Sequence, residues 1–384
     1  MQLAGTELEG SYMRYSIIMI ISMLFVNNCA SIGKDKIDLE NRLKHLSDKY
    51  IPDNSLAVND ISLKEENGYL TVNGKTTSRE LHDRLSAFSD SLSFRYEVML
   101  LPDPALGDSV HGIINVSVTP MRERTSHTSQ MIDQAIMGNS VKIHYETGDW
   151  YLCQTHYDYV GWITKSSVYK CQDTYKTYWE QNANYRLKDL NTTIYSEPNR
   201  LSIPVSNAIL NNRLIIDESV AQWHKVMLPD GRIGFIGKEN VELISKGLDT
   251  KEHEDLIISN ALSMKGVPYL WGGNSSKGND CSGFTQTVFK TAGIQLPRDA
   301  RQQAQIGKLV KIENLEKGDL LFFGSGERVT HVAISMGGTD FIHQGSKLEG
   351  KVDIHSLDPE SPIYNSYRKK TLLFAKRIIA LSTD

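Results

Sequence analysis

At 384 residues and a formal net charge of −4, the chain is too long for one ordinary core, and roughly two to four domains are expected. Its hydrophobic fraction of 40% and charged fraction of 23% are those of folded globular proteins and exclude a disordered or collagen-like chain. No basic block stands out, which argues against a nucleic-acid partner.

Residues 1–28 read as an export signal. In "MRYSIIMIISMLFVNNCAS", Met13 is a plausible start, Arg14 precedes an apolar run from Ile17 to Val26, and Cys29 follows. The run is about 10 residues, half of the ~20 that a spanning helix needs, and has the layout of a secretory signal. A cysteine closing such a run resembles the bacterial lipoprotein signal, which implies a lipid on Cys29 and attachment to a membrane. Plain secretion is the alternative, because Asn27 and Asn28 stand where small residues are usual. Either way the expected location is the periplasm or cell envelope. Of the other cysteines, Cys153 and Cys171 fall in one predicted domain and can pair in an oxidising compartment if their geometry allows. Cys281 is then left over as a candidate reactive thiol.

Residues 29–108 read as a small α/β domain. "KIDLENRLKHLSDKY" and "TSRELHDRLSAFSDSL" have helical spacing, the second capped by Thr77 or Ser78, and "GYLTVNG" alternates like a strand. From 109 the pattern turns to short alternating strands broken by Gly, Asp and Asn, which suits small barrels. "NVSVTPMRE", "GDWYLCQ" and "YVGWI" resemble a bacterial SH3-like domain, placed at 109–172, with Trp150 and Trp162 as core or groove aromatics. "TTIYSEPN" and "AQWHKVMLPDGRIGFI" repeat that pattern more weakly, and Gly234-Phe235-Ile236 stands where Gly161-Trp162-Ile163 did. A second barrel over 173–247 is the economical reading.

Residues 248–384 form an α+β domain. Asp249 with Glu252 makes a capping signal, Leu256, Ile257, Ala261 and Leu262 form an apolar face, and Gly266 closes the helix. In "GNDCSGFTQTVFKTAG", Asp280 is the cap of a second helix that Gly293 ends. Cys281 therefore sits in the first turn, where exposed amides and the helix dipole favour a thiolate and are expected to lower its pKa. By position alone it can equally be a structural cysteine. "RVTHVAISMGGTDFIHQG" predicts a hairpin, with strands Val329–Met336 and Phe341–Gln344 about a turn at Gly337-Gly338. His331 and His343 then share one face of neighbouring strands. A helix-start cysteine, a strand histidine and a second polar residue that orients it form an activated-nucleophile arrangement.

"GVPYLWGG", "DCSGF", "LPRDARQQA", "KGDLLFF" and "THVAI", in that order, resemble the NlpC-type cysteine peptidases of bacterial cell walls. The resemblance implies a papain-like fold with Cys281 as nucleophile, His331 as general base, His343 orienting it, and Tyr269 lining the oxyanion side. It implies hydrolysis of amide bonds in peptidoglycan stem peptides, with no metal or other cofactor. Two SH3-like barrels ahead of such a domain resemble the γ-D-glutamyl-L-diamino acid dipeptidyl-peptidases. In that group the first barrel closes the site, so that short peptides with a free N-terminal L-alanine are accepted and L-Ala-γ-D-Glu is released. Asp280, Ser282, Glu123 and Tyr159 are the candidate substrate contacts, although Glu123 can also be a surface residue and Asp280 no more than a helix cap. In the alternative reading the barrels are wall-targeting modules and the enzyme is an endopeptidase acting on polymeric peptidoglycan. The sequence does not distinguish lysine from diaminopimelate as the diamino acid. Peptidoglycan-derived peptides are the expected partners, and a monomer is expected.

Overall fold

The computed structural model describes residues 36–66, 69–89, 94–244, 249–345 and 349–378. The predicted export signal and Cys29 lie outside them. Among the described residues, no helix is long and apolar enough to cross a membrane.

The chain divides into two compact units, the first ending at Leu101 and the second starting at Pro102. The first unit has helices over 36–50 and Arg79–Ser89 and a three-stranded sheet of Asn59–Glu66, Tyr69–Thr76 and Phe94–Leu100. The first two strands are antiparallel and the last two parallel. Its core gathers Leu39, Leu43, Val72, Leu81, Leu85 and Phe94. Ser78 caps the second helix, its hydroxyl accepting from the Leu81 amide at 3.2 Å.

In the second unit, two seven-stranded sheets follow each other, spanning His111–Cys171 and Tyr185–Leu243. Numbering strands within each, the first sheet has the order 7-1-4-5-6-2-3, and the second has the same order read backwards. The repeat extends to single residues, because Trp162 in the sixth strand of one sheet faces Arg122 while Phe235 in the sixth strand of the other faces Tyr195. A helix over Asp173–Asn182, which the strand pattern did not predict, joins the two. Its Trp179 is fully buried with Ile113 of one barrel and Ile215 of the other, and the indole donates to the Gly138 carbonyl at 3.0 Å. Cys153 and Cys171 are both free and buried. They do not pair because they belong to separate hydrophobic clusters, Cys153 inside the first barrel and Cys171 against Trp179.

The C-terminal domain packs the helices Thr250–Ser263 and Cys281–Thr291 on a six-stranded sheet. The first helix has the predicted reciprocal cap between Asp249 and Glu252, and Ile257 and Ala261 face the core, whereas Leu262 is exposed. Phe284, Val288 and Phe289 of the second helix meet Phe322, Val332 and Ile334 of the sheet.

The barrels are docked on this domain. Leu210 of the second barrel enters the C-terminal domain's core, and Asn211 donates to the Thr287 carbonyl at 2.9 Å. The first barrel is held by a buried charge cluster. Arg298 Nε donates to Asp133 of the barrel at 2.5 Å, and its other nitrogens donate to Asp280 at 3.0 and 2.7 Å. Asp133 also accepts from Tyr157 at 2.5 Å and Asn274 at 3.1 Å. Burial works against the Arg298 charge, but Asp280 and Asp133 outweigh it and hold the guanidinium protonated.

Two glycines let the backbones approach this closely. Gly272 has a φ of +69°, and a Cβ there would lie 2.4 Å from the Met131 carbonyl of the first barrel. A Cβ on Gly283 would lie 2.0 Å from the Gly273 carbonyl. The glycines of "WGG" and "DCSGF" thus serve close approach.

Removing one partner of a buried ion pair strands the other charge, which costs about 3–5 kcal/mol. Arg298→Ala, which removes the counter-charge of Asp133 and Asp280 together, is therefore expected to lower stability by that amount in urea unfolding. A loss below about 1 kcal/mol would mean that the cluster does not hold the barrel.

Candidate active site

The cysteine helix starts where Asp280 leaves the extended conformation and accepts from the Gly283 amide at 2.8 Å. Cys281 is the first helical residue, half-buried, at the floor of a cleft of about 480 Å³. Tyr269, Trp271, His331 and Arg368 of the catalytic domain line this cleft together with Gln130, Ile132 and Tyr159 of the first barrel. The volume lies in the range of small-molecule and short-peptide sites.

The predicted hairpin forms, with strands Arg328–Met336 and Asp340–Gln344 in a register that pairs Ile334 with Ile342. That register makes His331 and His343 diagonal neighbours on one face, and His331 Nε2 lies 2.8 Å from His343 Nδ1. Both rings are buried, His343 completely. Since Nε2 of His331 is engaged by His343, Nδ1 is the nitrogen left to meet Cys281. Burial first, then His343 and Arg368, hold His331 well below the ordinary histidine value of 6.5. Burial and Arg368 do the same to His343. Both imidazoles are therefore neutral at pH 7, as a proton acceptor requires.

The thiol departs from the sequence expectation. Burial, and then the Asp280 carboxylate, push Cys281 up to about 11, while the backbone amides of Val332 and Ser282 pull it the other way. The helix terminus does favour the anion, but its own capping carboxylate and the surrounding walls oppose it more strongly. At rest Cys281 is therefore a thiol and His331 a neutral imidazole, and both line the same cleft.

The predicted contacts divide into two groups. Tyr269 is half-buried in the cleft wall, with its hydroxyl pushed up to about 12 by burial, then by Asp280 and Cys281. Tyr159 lines the cleft from the barrel and donates to Asp299 at 3.3 Å. Asp280 and Ser282 also line it, but Asp280 is committed elsewhere. Its two oxygens accept from Gly283, Ser282, Arg298 twice and the Gly272 amide, which fills the capacity of a carboxylate. Ser282 is buried and sits between Asp280 and Arg298. Glu123 is exposed, just past the strand Val118–Arg122, and does not line the cleft. Asp299 and Arg368, which the sequence did not single out, do line it. Arg368 is 5% exposed, and its Nε has no hydrogen-bond partner in the protein.

The NlpC/P60 family model matches residues 266–377, and the bacterial dipeptidyl-peptidase SH3 domain matches residues 121–168. A γ-D-glutamyl-L-lysine dipeptidyl-peptidase of Bacillus cereus is 32% identical over 251 residues, which are 61% of this chain and 72% of that protein. The chain belongs to the NlpC/P60 family. It is a papain-like cysteine peptidase preceded by SH3-like barrels, in a family of peptidoglycan hydrolases. A dipeptidyl-peptidase 6 of Lysinibacillus sphaericus is 29% identical over 62% of this chain and 88% of that protein. The crystal structure of an NlpC/P60 family protein from Bacillus cereus superposes with a TM-score of 0.60 at 24% identity, covering 70% of this chain and 99% of that one. This last likeness bears on the fold alone.

In this NlpC/P60 protein, a resting thiol near 11 predicts that alkylation of Cys281 by iodoacetamide, followed by peptide mass spectrometry, accelerates about tenfold per pH unit through the neutral range. A rate already level between pH 6 and 8 would show a preformed thiolate–imidazolium pair instead.

Proposed function

We propose that the protein hydrolyses the γ-D-glutamyl-diamino acid bond of short peptidoglycan stem peptides carrying a free N-terminal L-alanine, and so releases L-Ala-γ-D-Glu. The observation that carries this reading is the composition of the cleft. One wall belongs to the first barrel, and beside it the half-buried Asp299 carboxylate accepts from Tyr159 at 3.3 Å and from Arg301 at 3.1 Å, with acceptor capacity remaining. An ammonium taken out of water needs such a partner, and Asp280, the alternative carboxylate, has no acceptor capacity left. A barrel docked over the cleft also favours a short peptide over a polymer. Arg368, buried with an unpaired Nε, suits a substrate carboxylate next to the scissile bond.

The chemistry is acyl transfer. His331 Nδ1 takes the Cys281 proton as Sγ attacks the γ-carbonyl carbon, and Tyr269 lies on the side where the oxyanion develops. Collapse of the tetrahedral adduct breaks the C–N bond, and the leaving amine takes the proton from His331. Water then attacks the thioester with His331 as base, which releases the acid and restores the thiol.

The test is mass spectrometry after incubation with L-Ala-γ-D-Glu-diaminopimelate, its lysine counterpart, their N-acetylated twins and intact sacculi. Release of L-Ala-γ-D-Glu from the free-amine peptides alone is expected, with complete loss in Cys281→Ala. Equal cleavage of the acetylated peptides, or digestion of sacculi, would overturn the amine-gated reading. Asp299→Asn is expected to lower kcat/KM on the free-amine peptide by about 10- to 100-fold, the size of one hydrogen bond to a charged group, mostly through KM. The acid limb of kcat/KM should lie below pH 6.5, because His331 is held below that value and loses its function as base on protonation.

A further inference from the structure

The row of imidazoles does not end at His343. The neighbouring strand, Val352–Ser356, pairs with Asp340–Gln344 so that Phe341 faces His355 and His343 faces Asp353. His355 is thus the next diagonal neighbour, and its Nδ1 lies 3.0 Å from His343 Nε2. His331, His343 and His355 form a line across three adjacent strands, each ring joined to the next from Nε2 to Nδ1. Each is twelve residues after the one before. The rings meet edge to face, with centroids 5.0 and 5.1 Å apart. Glu349 Oε1 is 3.9 Å from His343 Nε2 and accepts from Asn365 at 3.0 Å.

We infer that His355 is a positioning residue for the peptidase reaction, fixing through His343 the tautomer in which His331 can act as base. The inference rests on the reading of Cys281 and His331 given above. For His331 to accept the thiol proton at Nδ1, its own proton must sit on Nε2 and be donated to His343 Nδ1. His343 then carries its proton on Nε2 and needs an acceptor for it, and Nδ1 of His355 stands 3.0 Å away. A neutral imidazole has one donor and one acceptor nitrogen, so each bond fixes the polarity of the next. Without His355, His343 is free to hold its proton on Nδ1 and point it at His331. His331 would then have to place its proton on Nδ1, the position that must be empty. When His331 becomes the imidazolium, the same chain disperses the charge, with Glu349 as the anion nearest its middle.

The test contrasts two replacements of opposite character. His355→Asn keeps an acceptor oxygen close to the Nδ1 position but gives up most of the ring. His355→Phe keeps the ring and its packing against Phe341 but has no acceptor. A tautomer-fixing role predicts near-native kcat for Asn and a fall of about tenfold for Phe, the effect one hydrogen bond exerts on a tautomer ratio, with KM unchanged in both. A packing role predicts the reverse order. Nitrogen-15 NMR of labelled histidines provides the second readout. His331 and His343 should both be protonated on Nε2 in the native and Asn proteins, and a mixture should appear in the Phe protein. EDTA is included throughout, so that an ion captured by His343, Glu349 and His355 does not imitate the effect. Native kcat and unmixed tautomers in a folded Phe variant would overturn the inference, even with Cys281→Ala inactive. Activity in Cys281→Ala would overturn the reading beneath it.

Discussion

The buried guanidinium of Arg298 is the constraint from which the rest of the site follows. It sits between a carboxylate of the first barrel and the carboxylate that caps the cysteine helix. With charges this far from water, each partner is tolerable because the others are present. The cluster therefore ties together two events that the chain separates by more than a hundred residues, the docking of a barrel and the start of a helix. The same Asp280 that receives Arg298 sets the direction of the first turn and so the position of Cys281. The barrel wall, the cleft and the position of Cys281 are consequences of one arrangement.

That arrangement also explains the chemical character of the thiol. A helix terminus is usually counted as an activating environment, but here the terminus carries its own anion and is walled in. The thiol keeps its proton at rest, and His331 is kept neutral by its own burial.

Local pattern carried much of this. The capped helix beginning at Cys281 and the hairpin bearing His331 and His343 are consequences of near-neighbour residues, so periodicity revealed them. The tandem barrels were legible because a repeat is a comparison of the chain with itself. The Arg298–Asp133 pair was not, since its partners are 165 positions apart and nothing near Asp133 announces a charge to be buried. "LPRDA" was read as a family marker, and the separate tasks of Arg298 and Asp299 within it were missed. His355 had a signal, the recurrence of histidine at the interval already noted between His331 and His343, but the strand that displays it, Val352–Ser356, was not predicted. Glu123, the barrel-motif candidate for an amine contact, is exposed and outside the cleft lining, the surface position that the sequence also allowed. A motif position in a barrel does not reveal which end of a strand overhangs the cleft, and Glu123 lies past that end. Whether Cys153 and Cys171 pair was open in the sequence, because proximity in the chain does not reveal that the linking helix creates a second core and takes Cys171 into it.

The cleft draws its walls from two modules of one compact unit. Cys281, His331 and His343 belong to the C-terminal domain, while Gln130, Ile132 and Tyr159 belong to another module. Substitutions at Gln130 or Ile132 reshape one wall and leave the Arg298 cluster intact, whereas Asp133, next to Ile132, is a member of that cluster. The cleft itself is a seam, open to adjustment on either side and complete on neither side alone.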